Sequence, residues 1–343
     1  MSVVAYVANA ASGDISVLAL DPASGTLDEV QRFPVGGSVM PLAVSPDRRV
    51  LHASIRTEPY RVVCLAIDPR DGRLAELGSA PLPASMCWIS TDRSGRWLLA
   101  ASYGGSLVSV SPIGADGVAR AATQVLPTAA HAHSIQVDPS NRFAFAASLG
   151  GDLVHQYRFD AATGLLADND PPLWHATPKS GPRHFAFHPT LPRVYLLGEL
   201  DAGIDVLAFD RERGLLASTG GARASALPPG FDAAAQGAPW AADLHVTPDG
   251  RFLYASERRS HTLAAFAIEP STGALTPIGS VPTETQPRGF ALTPDGRFLL
   301  ATGQVSHRLS RHAVDAADGR LTKLGDQAVG EDPNWIEVVA LPG

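Results

Sequence analysis

Two arginines of this 343-residue chain stand at the same place in two similar phrases, Gly181-Pro182-Arg183 and Gln286-Pro287-Arg288, each running straight into apolar residues. A charge carried into an apolar strand is costly unless something pairs with it. A guanidinium at each position therefore implies an anionic ligand, and its fork suits phosphate and carboxylate alike. It also suits the oxyanion that forms when an ester carbonyl is attacked. His131 and His133 alternate, which in an extended strand puts both on one side. An imidazole with an ordinary pKa near ~6.5 is a natural general base. The pair would also suit a metal, but no third ligand follows at a usable spacing, and neither metal nor cofactor is expected. Glu199 adds a carboxylate, and His175, His188 and His245 read as structural or surface residues. The chain has no G-x-S-x-G elbow, no P-loop and no setting for a cysteine nucleophile.

These residues need a frame, and the chain supplies one by repetition. An apolar run, a Pro/Asp/Gly turn and a second apolar run recur about every fifty residues. The phrase appears at 41–54, 88–102, 133–148, 183–199, 242–257 and 288–303, and residues 335–343 are a seventh opening without its continuation. Proline presets the first turn position, and glycine or asparagine tolerates the positive φ that follows. A third run follows in each unit, as at 15–21 and 263–269, and a more polar fourth, as at 27–35. Four antiparallel strands per unit with no helical period predict an all-β, seven-bladed β-propeller. The N-terminal run 3–9 fits a second strand. The C-terminal strand should therefore pair with the N-terminal strands and close the ring, removing exposed sheet edges. Residues 1–343 read as one propeller domain.

Hairpin geometry then sorts the polar residues. The Pro-Asp-Gly turns share one face of the ring. The loops before the first strand and those between the second and third strands share the other. That second face collects Arg56, Glu58, Arg61, Tyr103, His131, His133, Arg183, His184 and Glu199, followed by Trp240, Asp243, Glu257, Arg258, Arg288, Gln304 and His307. Functional loops commonly cluster on one side of a rigid scaffold.

Composition narrows the partners. The formal net charge of −7 argues against a nucleic-acid surface, and no membrane span is evident. Cys64 and Cys87 sit in apolar strands and are too few for a disulfide framework, which suits a reducing cytoplasm. Residues 3–10 end in Ala-Asn-Ala like a cleavage site, but no Lys or Arg precedes them and a strand explains them better. Oligomeric state is left open between a monomer and a weak homodimer.

The stretches 282–290, 240–258 and 181–189 resemble the bacterial propeller-type 6-phosphogluconolactonases, and the similarity runs from end to end. The wider family includes carboxymuconate lactonising enzymes with the same ring. The resemblance implies catalysis by His133, Arg183, Arg288 and Glu199. The remaining polar residues, Arg56, Arg61, Tyr103, His131, His184, Asp243, Glu257, Arg258, Gln304 and His307, become candidates for binding a small anionic lactone. It implies metal-independent hydrolysis, most of all of 6-phosphoglucono-δ-lactone. A lactonising cycloisomerase or lactone isomerase acting on a carboxylate remains an alternative, as does a non-catalytic binding platform. The Ala/Pro-rich segment 222–237 lengthens the fifth unit and lies close to Trp240 on the same face.

Overall fold

A computed structural model describes residues 2–342. Seven antiparallel sheets form a ring of blades, each of four strands in simple meander order. The first blade combines both ends of the chain: Pro333–Ala340 is its inner strand, followed by Val3–Asn9, Asp14–Leu20 and Leu27–Pro34. The closing pair runs in register from Val3 opposite Ala340 to Ala8 opposite Trp335. Blades two to seven begin with the inner strands Val39–Val44, Trp88–Thr91, Ala132–Val137, Pro182–Phe187, Ala241–Val246 and Pro287–Leu292. The fifth sheet carries an extra short strand, Ala224–Ser225, paired with Gly203–Asp210. A single helical turn, Ala233–Gln236, follows, capped by the Asp232 carboxylate on the Ala234 N–H. This is the structure of the Ala/Pro-rich insertion.

Position within a blade sets residue type. Second strands such as Val50–Ile55, Phe143–Ser148 and Phe298–Gly303 are buried throughout, because neighbouring strands cover their edges and neighbouring blades cover both faces. The outermost strand Leu27–Pro34 mixes buried and exposed positions. One contact recurs between blades. The Tyr6, Tyr195 and Tyr254 hydroxyls donate to the carbonyls of Gly72, Gly273 and Gly319 in the next blade, at 2.9, 2.9 and 2.8 Å. At Gly214 the chain needs glycine twice over: its φ is +66°, and a Cβ there would lie 2.1 Å from the Phe143 ring.

The inner strands start alike. Gly181 (φ +64°) precedes Pro182-Arg183, and Gln286 (φ +59°) precedes Pro287-Arg288. A left-handed residue followed by proline leads the chain into the strand in both blades. This repeated entry is what brings the two arginines to equivalent places around the axis.

Candidate active site

Arg183 is 1% exposed and His133 4%. Both stand near the start of inner strands, while Glu199 and Arg258 directly follow the second strands Arg193–Gly198 and Phe252–Glu257. Glu199 is the hub. Its Oε2 accepts from Arg183 Nε at 2.7 Å and lies 3.1 Å from Arg258 Nη2 and 4.0 Å from His133 Nε2. Its Oε1 accepts from the Trp240 indole N–H at 3.1 Å. Arg258 is held further by the carbonyls of Trp240 and Ala241, and its guanidinium lies 3.8 Å from the Trp240 ring centroid. Arg183 Nη1 donates to the Ala242 carbonyl, leaving Nη2 without a partner among the described residues.

Arg288 is different. It is half-buried and makes no hydrogen bond or ion pair among the described residues, although Arg183, Arg56 and Glu199 all act on its charge. Burial and the neighbouring arginines pull its pKa down to about 10, which leaves it cationic at neutral pH. Three guanidiniums thus face one carboxylate. Arg56 stands at the exposed rim, its Nε 3.1 Å from Ser85 Oγ, and adds to the positive field.

That field sets the acid–base groups. Burial pushes the Glu199 carboxyl up, but Arg183, Arg258 and the Trp240 N–H more than offset it and hold it below its usual range. Burial, followed by Arg183, His184, Arg288 and Arg258, holds His133 well below an ordinary imidazole, so it is neutral near pH 7. Its Nδ1 has no partner among the described residues. The Cys87 thiol, beneath the arginines, donates to the Ala132 and His133 carbonyls. Burial pushes its pKa up to about 11, so it stays a thiol.

His184 and Asp243 lie beneath the arginines rather than among them. Arg183 Nη1 is 3.0 and 3.2 Å from the two His184 ring nitrogens, which lays the guanidinium over the ring. His184 Nδ1 meets Asp243 Oδ1 at 2.8 Å, and Asp243 Oδ2 meets His245 Nε2 at 3.1 Å. His184 also packs edge-on against Trp88 and Trp335, forming an aromatic floor across the channel. Beyond that floor, a 440 Å³ cavity fills the opposite half of the channel, beside Trp88, Asp243, His245, Trp335 and Glu337. This space is thus on the far side of the floor from Arg288.

Four sequence candidates have other duties. Arg61 binds the Val35 and Gly36 carbonyls and clamps a loop. Glu257 is fully buried and accepts from the Trp240 N–H and from the Ser260 N–H and hydroxyl, so its oxygens are spent on the fold. The Gln304 side chain accepts from that of Gln286, and His307 Nδ1 accepts from the Asp332 N–H. His131 does not alternate with His133 on a strand. Its φ of +62° places it before the strand, where its ring stacks on Tyr103. Among the described residues, no group of three His, Cys, Asp or Glu side chains could hold a metal ion. The floor tryptophans and Glu337 escaped the sequence reading. Aligning the inner strands would have found Trp88, which occupies the place of His184 and Asp243 in their repeats.

The model of the family described as "Lactonase, 7-bladed beta-propeller" matches residues 2–338. The 6-phosphogluconolactonase of Pectobacterium carotovorum subsp. carotovorum is 40% identical over 341 residues, spanning 99% of this chain and 100% of its own. That of Cronobacter sakazakii is 35% identical over 336 residues, 98% of each chain. Among solved structures, the periplasmic gluconolactonase of Pseudomonas aeruginosa superposes with a TM-score of 0.90 at 29% identity, covering 99% of this chain and 100% of that one.

Proposed function

This chain belongs to the seven-bladed β-propeller lactonase family, and on that premise we propose that it hydrolyses a sugar-acid lactone without a metal, 6-phosphoglucono-δ-lactone above others. The observation that carries the reading is the charge imbalance: three guanidiniums around one carboxylate, with Arg288 unpaired among the described residues and Arg56 nearby. Such a mouth favours an anion, and the curated relatives above are named for a phosphorylated lactone.

In this reading Arg288 and Arg56 hold the phosphate, and the free Nη2 of Arg183 points its donor at the lactone carbonyl. His133 takes a proton from water as the water oxygen bonds to the carbonyl carbon. The carbonyl oxygen becomes an oxyanion on Arg183, an interaction typically worth ~3–4 kcal/mol per donor. Glu199, 4.0 Å from His133 Nε2, steadies the imidazolium. When the C–O ring bond breaks, His133 returns the proton to the leaving ring oxygen, giving a hydroxyl and a carboxylic acid that ionises. Glu199 itself is too firmly paired to take the first proton. The free, buried thiols of Cys64 and Cys87 suit a reducing compartment, and the reading places the enzyme in the cytoplasm.

The test is a coupled assay on freshly made 6-phosphoglucono-δ-lactone, with spontaneous hydrolysis subtracted and EDTA present or absent. Fast, EDTA-insensitive turnover is expected. Background rates there, with turnover of carboxylated lactones or muconates instead, would overturn the reading in favour of a lactonising isomerase.

A further inference from the structure

Tyr103 is 38% exposed, yet it is held firmly. Its ring stacks on His131 at 4.2 Å between centroids and 11° between planes, and stands edge-on to the base His133 at 5.9 Å. His131 is itself fixed. Its N–H donates to Ser106 Oγ, its carbonyl accepts from the Leu149 N–H, and its Nδ1 lies 3.2 Å from the Tyr103 carbonyl. Gly150 makes room for it, since a Cβ there would come within 2.7 Å of the imidazole edge. The Tyr103 hydroxyl has no hydrogen-bond partner among the described residues, so the fold gains no polar contact from it. What remains is a large aromatic face, backed on one side and open on the other, beside the group that activates water.

We propose that Tyr103, buttressed by His131, is the platform on which the lactone ring lies. A puckered sugar ring, whose axial C–H bonds make an apolar face, can lie against it. This rests on the lactonase reading and deepens it by naming the part of the substrate that Tyr103 recognises. Aromatic side chains are common anchors in small-molecule sites because they offer area while polar groups fix orientation. Here the arginines read the anionic end and Tyr103 reads the ring, and neither alone would place the carbonyl near His133.

The experiment compares the wild-type chain with Tyr103→Phe, Tyr103→Ala and His131→Ala. It measures kcat and KM on 6-phosphoglucono-δ-lactone, and calorimetric binding of glucose 6-phosphate, a closed ring with the same phosphate that cannot be hydrolysed. Tyr103→Ala should raise KM, and weaken glucose 6-phosphate, by roughly three- to tenfold, and should also lower kcat because the carbonyl is no longer held near His133. Tyr103→Phe should behave as wild type, which also shows that the site still folds. His131→Ala should shift in the same direction as Tyr103→Ala, by less. Unchanged KM and binding in Tyr103→Ala, losses in Tyr103→Phe as large as in Tyr103→Ala, or no wild-type binding of glucose 6-phosphate would each overturn the platform. Absence of lactone turnover with Tyr103-dependent binding of glucose 6-phosphate would instead overturn the lactonase reading and leave the platform standing.

Discussion

Arg288 and Glu199 separate function from stability at the scale of single residues. Glu199 is the counter-charge for two buried guanidiniums, and removing one partner of a buried pair typically costs ~3–5 kcal/mol because the other charge is left uncompensated. Glu199→Gln should therefore lower the melting temperature as well as activity. Arg288 has no such partner, so Arg288→Ala should leave thermal stability unchanged or raise it; a marked loss would mean that Arg288 serves the fold. His133 offers a pH test. It acts as a base only when neutral, and burial, followed by the surrounding arginines and His184, holds its pKa well below 6.5. The acid limb of kcat/KM, which reports the free enzyme, should therefore lie well below pH ~6.5, with activity falling as pH falls through it. A bound anion offsets the arginines, so the limb in kcat should move to higher pH. A kcat/KM limb at or above pH ~6.5 would remove His133 as the base. The sequence placed Arg183 and Arg288 by their common Pro-Arg phrase, but it could not show which was spent. That depends on Glu199, which follows the neighbouring strand of the same blade, and on Ala242, which reaches Arg183 from the next blade.

At the scale of the element, the hairpins were legible because turn chemistry and alternating burial repeat in register. The runs at 15–21, 263–269 and 27–35 appear as Asp14–Leu20, Thr262–Ile268 and Leu27–Pro34. His131 was not legible, because a left-handed φ on a non-glycine residue carries no mark in the sequence. The blade-to-blade tyrosine contacts were equally hidden, since each joins residues more than sixty positions apart. They predict a measurable cost. Tyr195→Phe removes a buried donor from the Gly273 carbonyl at 2.9 Å and should destabilise the ring by about 1 kcal/mol in denaturant unfolding, with kinetics unchanged. A variant as stable as wild type would mean that the ring packing, not the hydroxyl, joins these blades.

At the scale of the whole molecule, ring closure makes the last strand of the chain the inner strand of the first blade. It also brings Glu337 into the channel beneath the aromatic floor, where burial pushes its carboxyl up to about 7. The folded state therefore holds a proton that the unfolded chain has released, and stability should fall as pH rises from about 4.5 through 7. His245, raised chiefly by Asp243 against the opposing effect of burial, adds stability at low pH that is likewise lost as pH rises. Thermal melts across that range should show the decline, and Glu337→Gln should flatten it; an unchanged slope in the variant would place the titration elsewhere. The channel thus has two unlike halves, arginines at one mouth and Asp243 with Glu337 toward the other, and an anion has reason to enter only one. The measurement that tests this most directly is kcat/KM on 6-phosphoglucono-δ-lactone and on its unphosphorylated counterpart, for wild type and Arg288→Ala together. Wild type should prefer the phosphorylated lactone, and Arg288→Ala should lose far more than tenfold on it. An Arg288→Ala enzyme with wild-type kcat/KM would contradict the account.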